Sequence, residues 1–133
     1  MLSINRNSSF LYAAGLKKKE VIILKINKEL MKGSTAMLVL SIISKDDMYG
    51  YKIVKELESR SENVFSMKEG TLYPLLHALE EEGFVESYWQ EYAGRNRKYY
   101  HITHRGKTAL KEKKEEFEAY SVAVGKVLSF SGV

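Results

Sequence analysis

The chain has 133 residues and a formal net charge of +4, enough for one compact domain with appended segments, since domains mostly run to about 100 to 150 residues. Its 44% hydrophobic and 29% charged residues place it among globular chains and exclude a disordered tail, which lacks the apolar surface to offset ordering entropy. With no cysteine and no stretch near the roughly 18 to 20 apolar residues of a membrane span, thiolate metal sites, disulfides and a membrane partner are excluded, and a reducing cytoplasm is the expected setting.

Residues 1–24 mix Asn, Ser and Gly with the run Lys17-Lys18-Lys19 and hold no sustained period. They read as a poorly ordered extension, an upstream leader to a domain that starts near Lys25 or Met31. A basic arm that touches phosphates is the alternative. From Lys28 to Ser44 the chain turns almost continuously apolar after Thr35, with Leu38 and Ile42, and Val39 and Ile43, at helical spacing. This predicts a buried first helix. Lys45-Asp46-Asp47 breaks it, and Tyr49 to Arg60 follows as a second helix with Ile53, Val54 and Leu57 on one face.

Ser66-Met67-Lys68-Glu69 has the S-x-x-E spacing of a capping box and announces a third helix. Leu72, Leu75, Leu76 and Leu79 form its buried stripe, which leaves Thr71, Tyr73, Pro74, His77 and Ala78 on other faces. Pro74 removes the amide bond to the carbonyl of Gly70 and predicts a kinked or tightened first part, and Gly83 ends the helix as its C′ residue. Val85 to Tyr92 and Arg97 to Thr103 are rich in aromatic and β-branched residues and flank Ala93-Gly94-Arg95-Asn96, the pattern of a β-hairpin. A last helix starts at an N-cap on Thr103 and runs to about Ser129. Leu110, Phe117 and Val124 are seven apart in it, with Tyr120 and Val127 three beyond the latter two.

The fold class is therefore mainly α with a small β-hairpin. Three helices and a hairpin are the order of a winged helix-turn-helix DNA-binding domain, here residues 25–103, followed by a C-terminal dimerisation helix over residues 104–133. Between Val85 and Lys107 five basic residues stand against two acidic ones, a local surplus of three, and the pI near 9.1 suits a polyanionic partner. Arg95, Asn96, Arg97 and Lys98 belong to the hairpin tip, where they suit phosphates or a narrow minor groove; a solvated turn explains the same residues without DNA. Lys68, Thr71, Tyr73 and His77 are the third-helix candidates for phosphates and base edges, with packing as the alternative for Tyr73. Tyr49 and Lys52 are candidates for backbone phosphates. Glu80, Glu81 and Glu82 confine contact to the N-terminal half of that helix.

The stripe Leu110, Phe117, Tyr120, Val124 and Val127 is too long for a domain of this size to cover alone, so a homodimer and a pseudo-palindromic operator are expected. Partial packing on the chain's own first helix goes with this. Of nine tyrosines, five phenylalanines and one tryptophan, Tyr88, Trp89, Tyr92, Tyr99 and Tyr100 crowd into the hairpin. Cross-strand pairing explains most of them, and an aromatic-lined effector pocket at the dimer interface is the minority reading. No enzyme, metal or cofactor is expected: His101 and His104 have neither a carboxylate pair nor a third ligand, and no phosphate-cradling loop, nucleophile elbow or H-E-x-x-H occurs. A winged-helix protein-interaction module without DNA is the competing functional class.

Lys32-Gly33, Tyr49-Gly50-Tyr51-Lys52-Ile53, Glu69-Gly70-Thr71-Leu72-Tyr73-Pro74-Leu75-Leu76, Leu79-Glu80-Glu81-Glu82-Gly83, Arg97-Lys98-Tyr99-Tyr100 and Thr103-His104-Arg105-Gly106 together resemble the PadR pattern over about residues 28–120. The single C-terminal helix is similar to that of the small PadR subfamily. The resemblance implies a homodimeric repressor of detoxification or efflux genes, released by phenolic acids, drugs or other small aromatic molecules near the dimer interface. It also implies a recognition helix at about Lys68 to Glu82 and a wing at Val85 to Thr103. His104 and Arg105 depart from an acidic pair common in the family. The only tryptophan, Trp89, falls in the wing, so drug stacking by a tryptophan on the dimerisation helix does not carry over.

Overall fold

The fold is taken from a computed structural model of the chain, which describes residues 31–129. The extension expected at residues 1–24, and the start of the first predicted helix at residues 28–30, lie outside them. In chain order the elements are α1 (Thr35–Ile43), β1 (Met48–Tyr49), α2 (Gly50–Arg60), α3 (Glu69–Glu81), β2 (Val85–Tyr92), β3 (Arg95–Ile102) and α4 (His104–Leu128).

α1 occupies the apolar run after Thr35, but the predicted helix is interrupted upstream of it, with Met31 and Lys32 helical on the far side of a turn. Gly33 and Ser34 form a turn in which the Ser34 amide and hydroxyl both donate to the carbonyl of Met31, at 2.8 and 3.1 Å, before the helix starts at Thr35. Val39, Leu40, Ile42 and Ile43 then enter the core. The second predicted helix begins one residue late, because Tyr49 is extended (φ −90°, ψ 164°) and pairs with Tyr99 as part of β1. The hairpin is thus a three-stranded antiparallel sheet in the order β1-β3-β2.

The expected capping box at Ser66 does not form. α3 starts at Glu69 with Lys68 as N-cap and no side-chain cap bond; the amides of Thr71 and Leu72 bond instead to the Lys68 carbonyl at 2.9 and 3.0 Å. Lys68 is extended (φ −84°, ψ 154°) and Met67 before it is buried in the core, so the helix starts downstream of Ser66. α3 then runs on as a single α-helix through Pro74, burying Leu72, Leu76 and Leu79. Its end follows the sequence reading. Gly83 takes φ +80°, and the amides of Gly83 and Phe84 bond back to the carbonyls of Glu80 and Leu79 at 3.0 and 2.9 Å, a Schellman motif.

The hairpin turn is tighter than predicted. Ala93 and Gly94 alone form it, both at positive φ (53° and 78°), the two-residue geometry that matches strand twist. Arg95 and Asn96 are already in β3, opposite Tyr92 and Glu91. Thr103 caps α4 as predicted: its Oγ1 accepts from the Gly106 amide at 3.0 Å and donates to the Gly83 carbonyl at 2.7 Å. Gly106 lies so close to the Phe84 carbonyl that a Cβ would overlap it, which lets α4 seat directly on the turn between α3 and β2. One core joins α1, α2, α3, the inner side of the sheet and Leu110 of α4.

Candidate nucleic-acid interface

Each candidate side chain is positioned by α2, by α3 and its N-cap, by the sheet or by α4. Lys68 at the N-cap of α3, and Thr71, Tyr73 and His77 on it, are all exposed while the leucine stripe is not. His77 Nε2 lies 3.3 Å from Glu81 Oε2, one turn on. Tyr73 is exposed along one side, but its ring end rests against Gly50 at the start of α2, where a Cβ would overlap it. Burial and the neighbouring charge of Glu69 push its phenol above the ordinary tyrosine range. The packing alternative for Tyr73 thus accounts for its ring end, and the rest of the ring is open to solvent. Lys52 is exposed in the first turn of α2. Ser87 of β2 donates to Glu80 of α3 at 2.7 Å, which ties the base of the wing to the helix and occupies one of the three glutamates.

The register divides the sheet, because residues opposite one another share a face and faces alternate along a strand. Val85 and Ile102, Ser87 and Tyr100, Trp89 and Lys98, and Glu91 and Asn96 share the inner face, which packs on the helices at its Val85, Tyr100 and Ile102 end. Tyr88 and Tyr99, Gln90 and Arg97, Tyr92 and Arg95, together with Tyr49, share the outer one. Grouping Arg95 to Lys98 as a single tip patch therefore does not hold: Arg95 and Arg97 face one way, Asn96 and Lys98 the other.

The outer face carries a network that sequence reasoning missed. Tyr88 stacks on Tyr99 with centroids 5.7 Å apart, and Tyr49 meets Tyr99 edge-on at 5.4 Å. The Arg97 guanidinium lies over the Tyr49 ring at 4.3 Å and near Tyr92 at 5.9 Å. Asp47, just before β1, accepts from the Tyr88 hydroxyl at 2.6 Å and lies 2.9 Å from His101 Nδ1. Burial works to raise the Asp47 carboxyl, yet the hydrogen bonds from Tyr88 and His101 hold it below the usual carboxylate range. The bond to Asp47 pushes the Tyr88 phenol up to about 12. These partners are 41 and 54 residues apart in sequence, and no local spacing announces them.

The α4 stripe divides too. Leu110 is 8% exposed, within the chain's own core, whereas Phe117, Tyr120 and Val127 are 47, 65 and 82% exposed; Val124 is half-buried. Among the described residues no helix is long and apolar enough to cross a membrane.

A family model described as the PadR-like family of transcriptional regulators matches residues 39–112, more than half of the chain. The chain belongs to the PadR-like family. It is accordingly a transcriptional regulator, and not an enzyme. A transcriptional regulator from Clostridium thermocellum matches its structure with a TM-score of 0.69 at 33% identity, over 74% of this chain and 96% of that one. A PadR family transcription regulator from Clostridium difficile R20291 matches with a TM-score of 0.65 at 37% identity, over 71% and 98%. An uncharacterized protein of Lysinibacillus sphaericus is 36% identical over 93 residues, 69% of this chain and 85% of that protein.

Proposed function

We propose that this PadR-like regulator is a homodimeric, sequence-specific repressor that binds duplex DNA with α3 in the major groove and the β2–β3 wing beside it. The observation that carries the reading is the arrangement of α3. Its leucine stripe faces the core, with Leu72, Leu76 and Leu79 buried, while Lys68, Thr71, Tyr73 and His77 stay exposed beside a wing tied to the same helix through Ser87 and Glu80. Lys52, Arg95, Asn96 and Lys98 add backbone or groove contacts, with Tyr49 acting from within the sheet. Phosphate contacts set register, and base-edge contacts from the first turns of α3 set sequence.

Dimerisation is assigned to Phe117, Tyr120, Val124 and Val127 of α4, with Leu110 anchoring the helix to its own protomer. Support comes from the large exposure of three of these apolar side chains on one helix, which a second copy would cover. A dimer of this kind reads a pseudo-palindrome. Release by a small aromatic molecule is the regulatory part of the proposal.

Fluorescence anisotropy tests the reading with a labelled duplex from the DNA flanking the protein's own gene and a scrambled control, across a salt series. Tight, selective and salt-sensitive binding is expected. Equal weak binding to both duplexes, with no salt dependence, would contradict it in favour of a protein-interaction module.

A further inference from the structure

The two arginine-bearing and lysine-bearing faces of the wing are built for different tasks. On the inner face the core under the sheet ends with Val85, Tyr100 and Ile102, and the strands continue past it with Trp89 opposite Lys98. Trp89 is 63% exposed, a large apolar surface with one N–H donor. Lys98 Nζ lies 5.9 Å from the Tyr100 ring centre. Tyr100 in turn is close enough to Glu80 and Tyr73 that, after burial, their charges raise its phenol. Trp89 and Lys98 are therefore cross-strand neighbours on the inner face, just beyond the buried Tyr100.

Arg97 is committed elsewhere. It points to the opposite face, its guanidinium is stacked over Tyr49, and its Nε is sealed from solvent without a hydrogen-bond partner. A guanidinium that recognises a phosphate presents its donor edge in a fork, and here part of that edge is buried against the sheet. Tyr49 is both the residue paired with Tyr99 and the N-cap of α2, so the Arg97 contact joins the wing to the helix that precedes α3.

We propose that the wing meets duplex DNA through Lys98 and Trp89 on its α3 side, while Arg97 is a positioning residue that fixes the wing against Tyr49. The inference rests on the DNA-binding reading above and assigns its contacts within the wing.

The test compares salt slopes and tryptophan emission for the full chain on one labelled duplex. Removing one lysine–phosphate pairing flattens the slope of log affinity against log salt by about 0.9. Lys98→Ala is expected to flatten it by that amount for each protomer bound. Arg97→Met, which keeps the stem and drops the charge, is expected to weaken affinity several-fold with the slope unchanged. Emission of Trp89, the single tryptophan, should change on saturation with unlabelled duplex. If Arg97→Met melts below the assay temperature, Arg97→Lys replaces it: the charge remains without the planar stack, so positioning predicts weaker binding at wild-type slope and a phosphate contact predicts near-wild-type affinity. A flattened slope for Arg97→Met, a wild-type slope for Lys98→Ala, or unchanged Trp89 emission on bound DNA would overturn the assignment while leaving DNA binding intact. A wild-type chain that binds no duplex in a salt-dependent way would instead overturn the DNA-binding reading, and this inference with it.

Discussion

The two faces of the small sheet are held by different physics. Inside, Met48, Val85, Tyr100 and Ile102 are buried in the common core, where stability comes from apolar area removed from water and from close packing. Outside, Tyr49, Tyr88, Tyr99, Arg97, Asp47 and His101 are partly solvated and held by ring stacking, a cation over a ring and two hydrogen bonds to one carboxylate. The inner face answers mainly to volume and the outer face to charge and pH. A regulator whose wing must hold one orientation outside the core gains from the second kind of fastening, since three strands, one of them two residues long, bury little there.

The sharpest way to break this contrast is on the inner face. Ile102→Ala should cost about 3 kcal/mol, read by urea denaturation, because the cavity sits between the sheet and the helices. Gly106→Ala should follow at about 2 kcal/mol, since the new methyl meets the Phe84 backbone carbonyl and α4 must lift. On the outer face Tyr99→Ala should cost only about 1.5 kcal/mol, because stacking with Tyr49 and Tyr88 disappears from a half-exposed ring.

The smallest effects are pH-dependent and separate the faces most cleanly. Asp47 has a folded value below its unfolded one, so its contribution is complete above about pH 4 and is lost as pH falls through the folded value. Asp47→Asn should flatten that acid limb. Tyr88 is shifted the other way. Its contribution is complete below pH 10 and is lost as pH rises toward about 12, and Tyr88→Phe should remove this alkaline limb. Urea midpoints across pH read both, whereas Ile102→Ala should shift every midpoint without altering the shape of the profile.

Where local chemistry decides the outcome, the sequence was legible. The helical spacing of Leu72, Leu76 and Leu79, the Gly83 terminus and the Thr103 cap each depend on neighbours a few residues away, and each appears in the fold as expected. The failures were tertiary. The capping box at Ser66 gave way to a helix start at Glu69, with Met67 just upstream buried in the core. β1 is two residues long and exists only because β3 pairs with it. The basic cluster Arg95 to Lys98 looked like one patch because a linear reading does not show faces, and moving the turn back to Ala93-Gly94 decided which way each cation points. Leu110 and Val127 shared one heptad pattern in sequence, yet the first is in the protomer's core and the second is in water.

The claim that this PadR-like chain reads DNA as a symmetric dimer is tested most directly by hydroxyl-radical footprinting on the duplex flanking its own gene. The account predicts two protected half-sites related by a dyad, with centres about one helical turn apart. A single unpaired footprint, or no protection at protein concentrations that saturate the anisotropy signal, would contradict it.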